Sequence, residues 1–498
     1  MSLSSSSSVS RLQASQSSAY SLDSENNRRS LGCSVSVRDD VDFDDDDRWG
    51  KKRKKKKRGM VLAGVLDSPA MRRMRKLRLH IVALGILLVI VVFEVRHLSQ
   101  DRPTSTIRDT DAKGKEEADS LNEASSTVIR DVERPKNLDN MDMPMRKVGG
   151  KEEACLKLLP PEDLDKIELP EASFSGVRIL SYVHNNIDSK ESKVQDSSMA
   201  SAFGGYQTMD ERAKTFELRD TMVVHCGFCE EGSGFDIDST DKSFMESCII
   251  VVVTCTFGGG DDLYQPIGMT RLSISRVCYV AFWDEVTLEA QAKEGKAPDP
   301  MSRKVGLWRI VIVRNLPFSD QRRNGKIPKL LNHRLFPRAR YSIWVDSKSQ
   351  FRRDPIGVLE ALLWKPKVPF AISEHGGRSC VYKEGDAIVQ KHKALPGEVS
   401  IQLNMYRSEG IPERALFHGH KALAEASVIV REHTPLTNLF MCLWFNEVMR
   451  FTARDQLSFP YVLLRVHAMQ VNMFPVCTRR ALVNSIGHKS KAKPLNIK

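Results

Sequence analysis

Apart from two basic clusters in its first eighty residues, the sequence has no excess of positive charge. The 498-residue chain has a formal net charge of +12, but residues 51–58 contain eight lysines and arginines and residues 72–78 contain five more. These thirteen charges account for the whole excess, so the rest of the chain is close to neutral. Nucleic-acid binding depends on clustered positive charge, and we therefore expect no nucleic-acid partner.

The sequence also lacks several metal and redox motifs. It contains no HExxH zinc motif, and Cys226 and Cys229 form a CxxC without a second one nearby, which argues against a zinc site and thioredoxin-like chemistry. We expect a local disulfide or ordinary packing for this pair. Nine of the ten cysteines follow residue 100, so at least one of the nine is expected to be free.

Residues 81–93 are thirteen residues without a polar side chain. A bilayer core needs about 20 mostly apolar residues, and we predict a single transmembrane signal-anchor helix at residues 77–97. A buried core helix is the alternative, but low-complexity sequence flanks the segment on both sides. Basic residues precede it, so the positive-inside rule places residues 1–76, a disordered tail with a polybasic run, in the cytosol. This is the layout of a type II protein with a lumenal domain.

The lumenal part divides into three predicted regions. Residues 98–165 are polar and charged, as expected of a stem, and residues 489–498 form a basic tail. Residues 166–488 alternate short apolar runs with helical segments, which predicts one α/β domain with a mostly parallel sheet. Predicted strands are residues 177–183, 248–257, 278–283, 308–313, 341–345, 370–373 and 426–430. Predicted helices are residues 326–335, 355–364, 382–393 and 436–445.

One of these strands, residues 341–345, ends on a charged triplet of Asp346, Ser347 and Lys348. Ligands of α/β proteins bind beyond the carboxyl ends of the strands. The carboxylate of Asp346 can hold a ribose hydroxyl or a metal ion, and the ammonium of Lys348 can face phosphates. The alternative is an Asp that caps a turn beside a solvated Lys.

Two further groups are candidates for donor binding. Gly258, Asp261 and Asp262 follow the most hydrophobic predicted strand, where glycine allows close approach of a nucleotide and the carboxylates can bind ribose or metal. Arg323 and Lys326 lie in a basic segment just before the central strand and could face phosphates. A solvated acidic turn and a basic surface loop are the respective alternatives.

Single titratable residues complete the candidate site. His375 and His433 each follow a glutamate at a predicted strand end and could bind a metal with Asp346 or relay a proton, although a lone histidine is more often structural. Asp455 is a candidate general base or acceptor-binding carboxylate. Its alternative role is that of a helix N-cap.

Several long motifs resemble one family. The sequence is similar to the plant mucilage-related, hexosyltransferase-like family over residues 170–488, in FGGY, MVVHCGF, GFDI, VGLWRIVIVRNLPF, RRNGKIPKLLNHRLFPRARYSIWVDSK, VIVREHT, NLFMCLWFNEV and RDQLSF. The resemblance implies a GT-A-like (Rossmann-like) glycosyltransferase domain in the Golgi lumen, anchored by its membrane helix. It implies hexosyl transfer from a nucleotide-sugar donor to a cell-wall or mucilage polysaccharide of pectin or xylan type, within a Golgi glycosyltransferase complex.

The same family contains the turgor-regulation-defect protein, which is described as an alkaline ceramidase. A lipid amidase is therefore the alternative enzyme, and a non-catalytic Golgi scaffold is the third reading.

The sequence departs from the Asp-x-Asp motif that binds Mn²⁺ or Mg²⁺ in GT-A enzymes, because Lys348 replaces the second carboxylate. Either His433 or Asp261 completes a metal site with Asp346, or Lys348 does the electrostatic work of the metal. In either case Lys348 and Arg323 would stabilise the departing diphosphate.

Overall fold

A computed structural model of the chain describes residues 143–171, 176–184, 199–413, 416–417 and 420–488. The predicted cytosolic tail, the anchor helix at 77–97, most of the stem and the whole basic tail at 489–498 lie outside these residues. No helix in the described part of the chain has the length and apolar character needed to cross a membrane.

The described residues form sixteen strands, fifteen α-helices and one π-helix. The strands are β1 Met145–Val148, β2 Lys151–Ala154, β3 Ile179–Tyr182, β4 Thr221–Val224, β5 Ile250–Thr256, β6 Val277–Asp284, β7 Lys304–Val305, β8 Trp308–Val313, β9 Tyr341–Val345, β10 Ser349–Phe351, β11 Phe370–Glu374, β12 Leu416–Phe417, β13 His420–Lys421, β14 Ala424–Glu432, β15 Asn472–Phe474 and β16 Val483–Ser485. The α-helices are α1 Pro161–Leu164, α2 Met199–Gly204, α3 Met209–Lys214, α4 Ser239–Ser247, α5 Arg271–Arg276, α6 Glu285–Lys293, α7 Gln321–Asn324, α8 Lys326–Leu330, α9 Asn332–Leu335, α10 Pro355–Leu359, α11 Val381–Gln390, α12 Pro396–Ser408, α13 Pro435–Arg450, α14 Asp455–Arg465 and α15 Val476–Leu482. The π-helix is Glu360–Trp364.

The centre of the domain is an eight-stranded sheet with the strand order β15–β11–β14–β9–β5–β6–β8–β7. The four neighbours β9, β5, β6 and β8 are parallel. Strand β7 is antiparallel to β8, and β14 is antiparallel to both of its neighbours, β9 and β11. Strand β15 is parallel to β11. The α/β class is therefore confirmed, and the sheet is mixed, with six of its eight strands running in one direction and β14 and β7 in the other.

The reversal of β14 follows from the path of the chain. After β11 the chain makes the β11–β14 excursion, residues 375–423, and returns to the same edge of the sheet, where Glu374 pairs with Ala424. A strand that begins beside the end of the previous strand must run antiparallel to it. As a result, the carboxyl ends of β5, β9 and β11 and the amino end of β14 lie side by side. We call this line of strand ends the shared edge of the sheet.

Both faces of the sheet are covered, which explains why its central strands are apolar throughout. Successive strand residues point to opposite faces, and all seven residues of β5 are buried. Val251 and Val253 join a core with helices α8, α13 and α14, whereas Ile250 and Val252 join a second core with α10 and α15. The apolar stripes of the helices thus complete a three-layer domain.

Several predicted elements differ from the observed ones. The run at 177–183 does form β3, but β3 pairs with β4 in a separate two-stranded sheet. The single helix predicted at 326–335 is broken at Leu331, whose φ of −105° and ψ of 33° end α8 before α9 begins. The predicted helix at 355–364 changes to π-helical geometry after Leu359.

Three disulfides link distant parts of the described chain. They join Cys155 to Cys477, Cys226 to Cys442 and Cys248 to Cys278, and Cys229, Cys255 and Cys380 are buried free thiols. A local Cys226–Cys229 disulfide, one of the two expectations for this pair, is therefore wrong. Cys226 instead bonds to α13, which packs over the same core.

Candidate active site

The shared edge of the sheet carries the best-supported sequence candidate, Asp346, directly after β9. Its backbone N–H donates to the carbonyl of Ser427 at 2.9 Å, which ties it to the amino end of β14. One carboxylate oxygen, Oδ1, accepts hydrogen bonds from Trp344 Nε1 at 2.7 Å and from Lys329 Nζ at 3.1 Å. The side chain is 22% exposed. Asp346 is therefore held in place yet reachable from solvent.

Asp455 lies beside it, at the first position of α14, and binds two lysines of α8. Its Oδ2 accepts from Lys326 Nζ at 2.6 Å and from Lys329 Nζ at 2.9 Å. Lysines three residues apart lie on the same face of a helix, so α8 presents both ammonium groups together. The result is a lysine–carboxylate chain, which we define as Asp346, Lys329, Asp455 and Lys326.

Burial and neighbouring charges shift the pKa values of the lysine–carboxylate chain in opposite directions. Burial lowers the pKa of Lys326 to about 8, although Asp455 opposes the shift. Burial would also lower the pKa of Lys329, but Asp346 and Asp455 outweigh it and raise that pKa above its ordinary value. For Asp455, burial would raise the pKa, yet the two lysines hold it far below the usual range.

These shifts bear on the predicted role of Asp455. A general base works best when its pKa is near the working pH, and a carboxylate held so far below its usual pKa is a weak base. The geometry instead makes Asp455 the residue that positions Lys326 and Lys329. The predicted contact between Lys326 and phosphates is compatible with this arrangement.

The glycine loop after β5 approaches the same edge. Gly258 has a φ of +70°, which only glycine adopts readily, and its N–H donates to Asp284 Oδ2 at 2.9 Å. Farther along the loop, Asp261 Oδ2 accepts from Ser347 Oγ at 2.5 Å and lies 2.9 Å from His488 Nδ1. Asp261 is thus connected to the residue that follows Asp346.

Other predicted donor-binding residues are engaged elsewhere. Asp262 forms an ion pair with Lys296 at 3.0 Å. Both terminal nitrogens of Arg323 donate to backbone carbonyls, those of Met449 and Phe451, near the carboxyl end of α13. The predicted role of Arg323 in phosphate binding therefore conflicts with its contacts, which are those of a structural arginine.

Lys348 faces an acidic side chain of β14, Glu425. Burial would raise the pKa of Glu425, but Arg479, Lys348 and Lys329 outweigh it and lower that pKa to about 2. Arg479 Nη1 lies 2.7 Å from Glu425 Oε2. Lys348 therefore remains at the candidate site, with part of its charge compensated by Glu425.

His433 and Asp346 do not share a site. In the antiparallel register Glu432 pairs with Tyr341, and the N–H of His433 donates to the carbonyl of Arg340. Six residues of strand separate that point from Asp346, or roughly 20 Å at about 3.3 Å per residue. His433 is partly buried, with Nε2 2.8 Å from Ser342 Oγ, and burial lowers its pKa to about 3.

His375 does lie on the shared edge, at the end of β11, but in a structural turn. Its Nδ1 accepts from the backbone N–H groups of Gly377 and Arg378, and its Nε2 lies 3.6 Å from Glu384. The ring is therefore committed to holding the turn before α11.

The residues at Asp346 do not fit a Mn²⁺ or Mg²⁺ site. Such ions prefer several oxygen ligands, whereas the contacts of Asp346 Oδ1 are an ammonium and an indole N–H. Within the described residues, the one group of three ligand side chains close enough to share an ion is Cys226, His333 and Cys442. Two of these are joined in a disulfide, so this group is not an ion site either.

Two cavities lie elsewhere in the domain. One of about 520 Å³ lies between α11 and α12, and one of about 470 Å³ is bounded by loop residues 230–237 and by Arg334. Neither is lined by Asp346 or Asp455. The candidate site is therefore identified by its strand-end position and its charges.

Sequence reasoning missed four residues of this site: Lys329, Glu425, His488 and Arg454. Arg454 directly precedes α14, and its guanidinium has no hydrogen-bond or ion-pair partner within the described chain, with Nε buried. A signal for Lys329 was present, since it is a second lysine three positions after Lys326 in an otherwise apolar segment. The other three are brought to the edge only by long-range packing.

The comparisons with known proteins agree with the resemblance found in the sequence. The model of the TOD1/MUCI70 glycosyltransferase-like domain matches residues 180–488. The chain is 39% identical over 358 residues to the probable hexosyltransferase MUCI70 of Arabidopsis thaliana, covering 70% of this chain and 61% of that protein. It is 31% identical over 314 residues to the alkaline ceramidase TOD1 of the same plant, covering 61% of this chain and 67% of that protein.

Among solved structures, the apo form of mouse xyloside xylosyltransferase 1 is similar over 45% of this chain and 85% of its own, with 8% identity and a TM-score of 0.27. A score this low has no bearing on function. The chain spans about three fifths of the length of MUCI70. The family model covers well over half of the chain, so the chain belongs to the TOD1/MUCI70 glycosyltransferase-like domain family.

Proposed function

We propose that the domain is a GT-A-like hexosyltransferase that moves a sugar from a nucleotide-sugar donor to a cell-wall or mucilage polysaccharide of pectin or xylan type. The observation that carries the proposal is the convergence of Asp346, Asp261 and the lysines of α8 at the carboxyl ends of β5 and β9. Such strand ends are where α/β proteins bind nucleotides. Membership of a glycosyltransferase-like family supports the same reading.

The contacts support distinct roles for these residues. Oδ1 of Asp346 is occupied, whereas Oδ2 has no hydrogen-bond partner in the described part of the chain, so it can accept a hydroxyl of the donor. Asp261 and the glycine loop would flank the nucleotide. Lys326 and Lys329 would face its diphosphate, which needs positive charge around it.

The transfer itself is a displacement at the anomeric carbon of the donor sugar. The acceptor hydroxyl oxygen supplies the electron pair of the new bond to C1, and the bond from C1 to the diphosphate oxygen breaks. The electron pair of that bond leaves with the diphosphate, and the proton of the hydroxyl passes to water. Fixed positive charge near the departing diphosphate stabilises the transition state.

We also propose that the domain works in the Golgi lumen, attached to the membrane through residues 77–97 and associated with other glycosyltransferases. Three disulfides support an oxidising compartment, because disulfides are rare in the cytosol. The basic residues before the apolar segment support the type II orientation.

No observation in the described residues favours the amidase alternative. A metal-dependent amidase needs about three ligands and an activated water, and the one group with suitable spacing contains a disulfide. The ceramidase activity named for TOD1 therefore stays with that relative.

The test is a donor screen with purified full-length protein, in which release of UDP or GDP is measured for a panel of UDP- and GDP-sugars. Wild-type protein is expected to turn over at least one donor. Asp346→Asn is expected to lose about 10²–10³-fold in kcat. Its melting temperature is expected to fall, because Lys329 loses one of its two carboxylates, but its unfolding should stay cooperative. A parallel assay with a ceramide substrate is expected to be negative. Donor turnover unchanged in Asp346→Asn would refute the assignment.

A further inference from the structure

We infer that Arg454, Lys326 and Lys329 form a diphosphate-binding cluster that takes the place of a divalent cation, so that donor binding needs no metal. The inference rests on the proposed function and specifies how the same site holds the most highly charged part of its donor. Its basis is a set of spare hydrogen-bond donors and one uncompensated charge.

The uncompensated charge is that of Arg454. The side chain of this arginine makes no hydrogen bond or ion pair within the described chain, and its Nε is buried without a hydrogen-bond partner. Arg454 directly precedes Asp455, whose Oδ2 lies 2.6 Å from Lys326 Nζ, so the two cations belong to one site. In addition to burial, the charge of Arg454 helps to lower the pKa of Lys326. A half-buried guanidinium without an anion is costly, and its planar fork matches the oxygens of a phosphate.

The two lysines add further donors. A lysine ammonium has three N–H groups. Lys326 uses one on Asp455, and Lys329 uses one on Asp346 and one on Asp455. Among the described residues this leaves two N–H groups on Lys326 and one on Lys329. Both side chains still reach the surface, with 14% and 7% of their area exposed.

The cluster is held rigidly, which suits it to a leaving group. Arg431, fully buried beneath α8, donates through Nη2 to the carbonyl of Lys329 at 2.8 Å. Trp444 Nε1 donates to the carbonyl of Asp455 at 3.1 Å. Because side chains and backbone are both fixed, the positive charges need little reorganisation when charge builds up on the diphosphate.

The same charges oppose a metal ion. A divalent cation on Asp346 would lie next to the ammonium of Lys329, which is 3.1 Å from the carboxylate. Like charges at such a distance repel strongly in a partly buried site. Lys348, two residues after Asp346, adds a further positive charge where a second metal ligand would be needed. One set of residues thus both binds the diphosphate and excludes the ion.

The deciding experiment titrates UDP and GDP into purified full-length protein, once in EDTA and once in Mn²⁺, and measures Kd. The probes are Arg454→Gln, Lys326→Gln and Lys329→Met. The matched control is Lys293→Gln, which removes an equal charge from a side chain on α6 that is 79% exposed. Melting temperatures are recorded for every variant, and Arg454→Gln is expected to melt no lower than wild type because the arginine has no partner to lose.

For one of the two nucleotides, the wild-type Kd is expected to agree within about twofold between EDTA and Mn²⁺. Arg454→Gln and Lys326→Gln are each expected to weaken binding at least about tenfold in both buffers, whereas Lys293→Gln leaves it unchanged. Arg454→Lys is expected to recover part of the loss.

Binding that requires Mn²⁺ would overturn the inference and leave the proposed function standing. A wild-type Kd in the folded Arg454→Gln variant would do the same. If neither nucleotide binds in either buffer, the proposed function fails, and the inference fails with it. Lys329→Met is read only if its melting curve is cooperative, and the other two variants decide the matter without it.

Discussion

Lys329 Nζ lies 2.9 Å from Asp455 Oδ2, and the two side chains are only 7% and 4% exposed. This buried ion pair joins two helices. It holds the carboxyl end of α8, which contains Lys329, against the first turn of α14, which contains Asp455. Removing one partner of such a pair leaves a charge buried without compensation. The pair is therefore a structural requirement of the candidate site, where under the proposed function it also positions Lys329.

We predict that Asp455→Asn destabilises the domain by about 3–5 kcal/mol, because two buried lysines lose their shared carboxylate. Thermal melting of the purified protein measures the effect. The matched control is Asp262→Asn, which breaks an exposed ion pair with Lys296 and should cost about 0–1 kcal/mol. Equal shifts in the two variants would contradict the buried character of the network.

The pH dependence of donor binding is predicted to report Lys326. Its pKa in the folded protein is about 8, against an ordinary value of 10.5, so the ammonium is lost as the pH rises through about 8. Binding of the donor diphosphate should weaken over this interval. Arginine in the Lys326→Arg variant stays charged at alkaline pH. The pH at which donor binding weakens should therefore be higher in this variant than in wild type. An unchanged pH dependence in that variant would assign the titration to another group.

The same group should act on stability in the opposite direction. Between pH 8 and 10.5 the unfolded chain holds the proton that folded Lys326 has released. Stability rises with pH wherever the unfolded state binds more protons. The contribution of Lys326 to stability therefore increases over that interval, and melting curves of wild type and Lys326→Met, compared at pH 8 and pH 10, measure it. A pH-independent difference between the two proteins would contradict the shifted pKa.

Thiol labelling is predicted to divide the cysteines of the described residues into two classes. Cys229, Cys255 and Cys380 should react with a maleimide only after denaturation, since they are buried, and the six disulfide-bonded cysteines only after reduction as well. Peptide mapping by mass spectrometry identifies each class. Recovery of a peptide in which Cys226 is bonded to Cys229 would contradict the fold of α13 over β4.

Gly258→Ala is predicted to cost about 1–2 kcal/mol, because its φ of +70° is unfavourable for any residue with a Cβ. The added methyl group has room, since the nearest atom, Gln321 Cγ, is 3.5 Å away. Backbone strain is therefore the main cause of the predicted loss of stability. Gly397→Ala is the control, since Gly397 lies in the first turn of α12 with open space around it. Melting temperatures of the two variants should therefore differ, and equal values would contradict the loop geometry.

The strands of the domain could largely be predicted from the sequence, but their directions could not. The apolar runs at 308–313 and 341–345 are β8 and β9 with the predicted bounds, because strands buried on both faces are uniformly apolar. Hydrophobic periodicity carries no information on whether β14 runs up or down the sheet. That direction decided the position of His433, which the antiparallel register moves away from Asp346.

The residues of the candidate site that lie at strand ends were recognised from the sequence, whereas those that depend on packing between helices were missed. Asp346 and Asp261 follow apolar runs and could be recognised from that position alone. The partner of Lys326 lies 129 positions along the chain, and no local pattern reports such a contact. For the same reason the sequence suggested that Asp455 is a general base. The structure shows two lysine contacts, which hold the pKa of Asp455 below its usual range.

The β11–β14 excursion leaves the sheet after Glu374 and rejoins it at Ala424, and these two residues face each other in the ladder. Because the two ends of the β11–β14 excursion are neighbours, insertions and deletions within it leave the pairing of the sheet strands unchanged. Helices α11 and α12 belong to it, and α11 packs against α14, the helix that begins with Asp455. Related proteins can thus keep one sheet while the helices around the candidate site diverge.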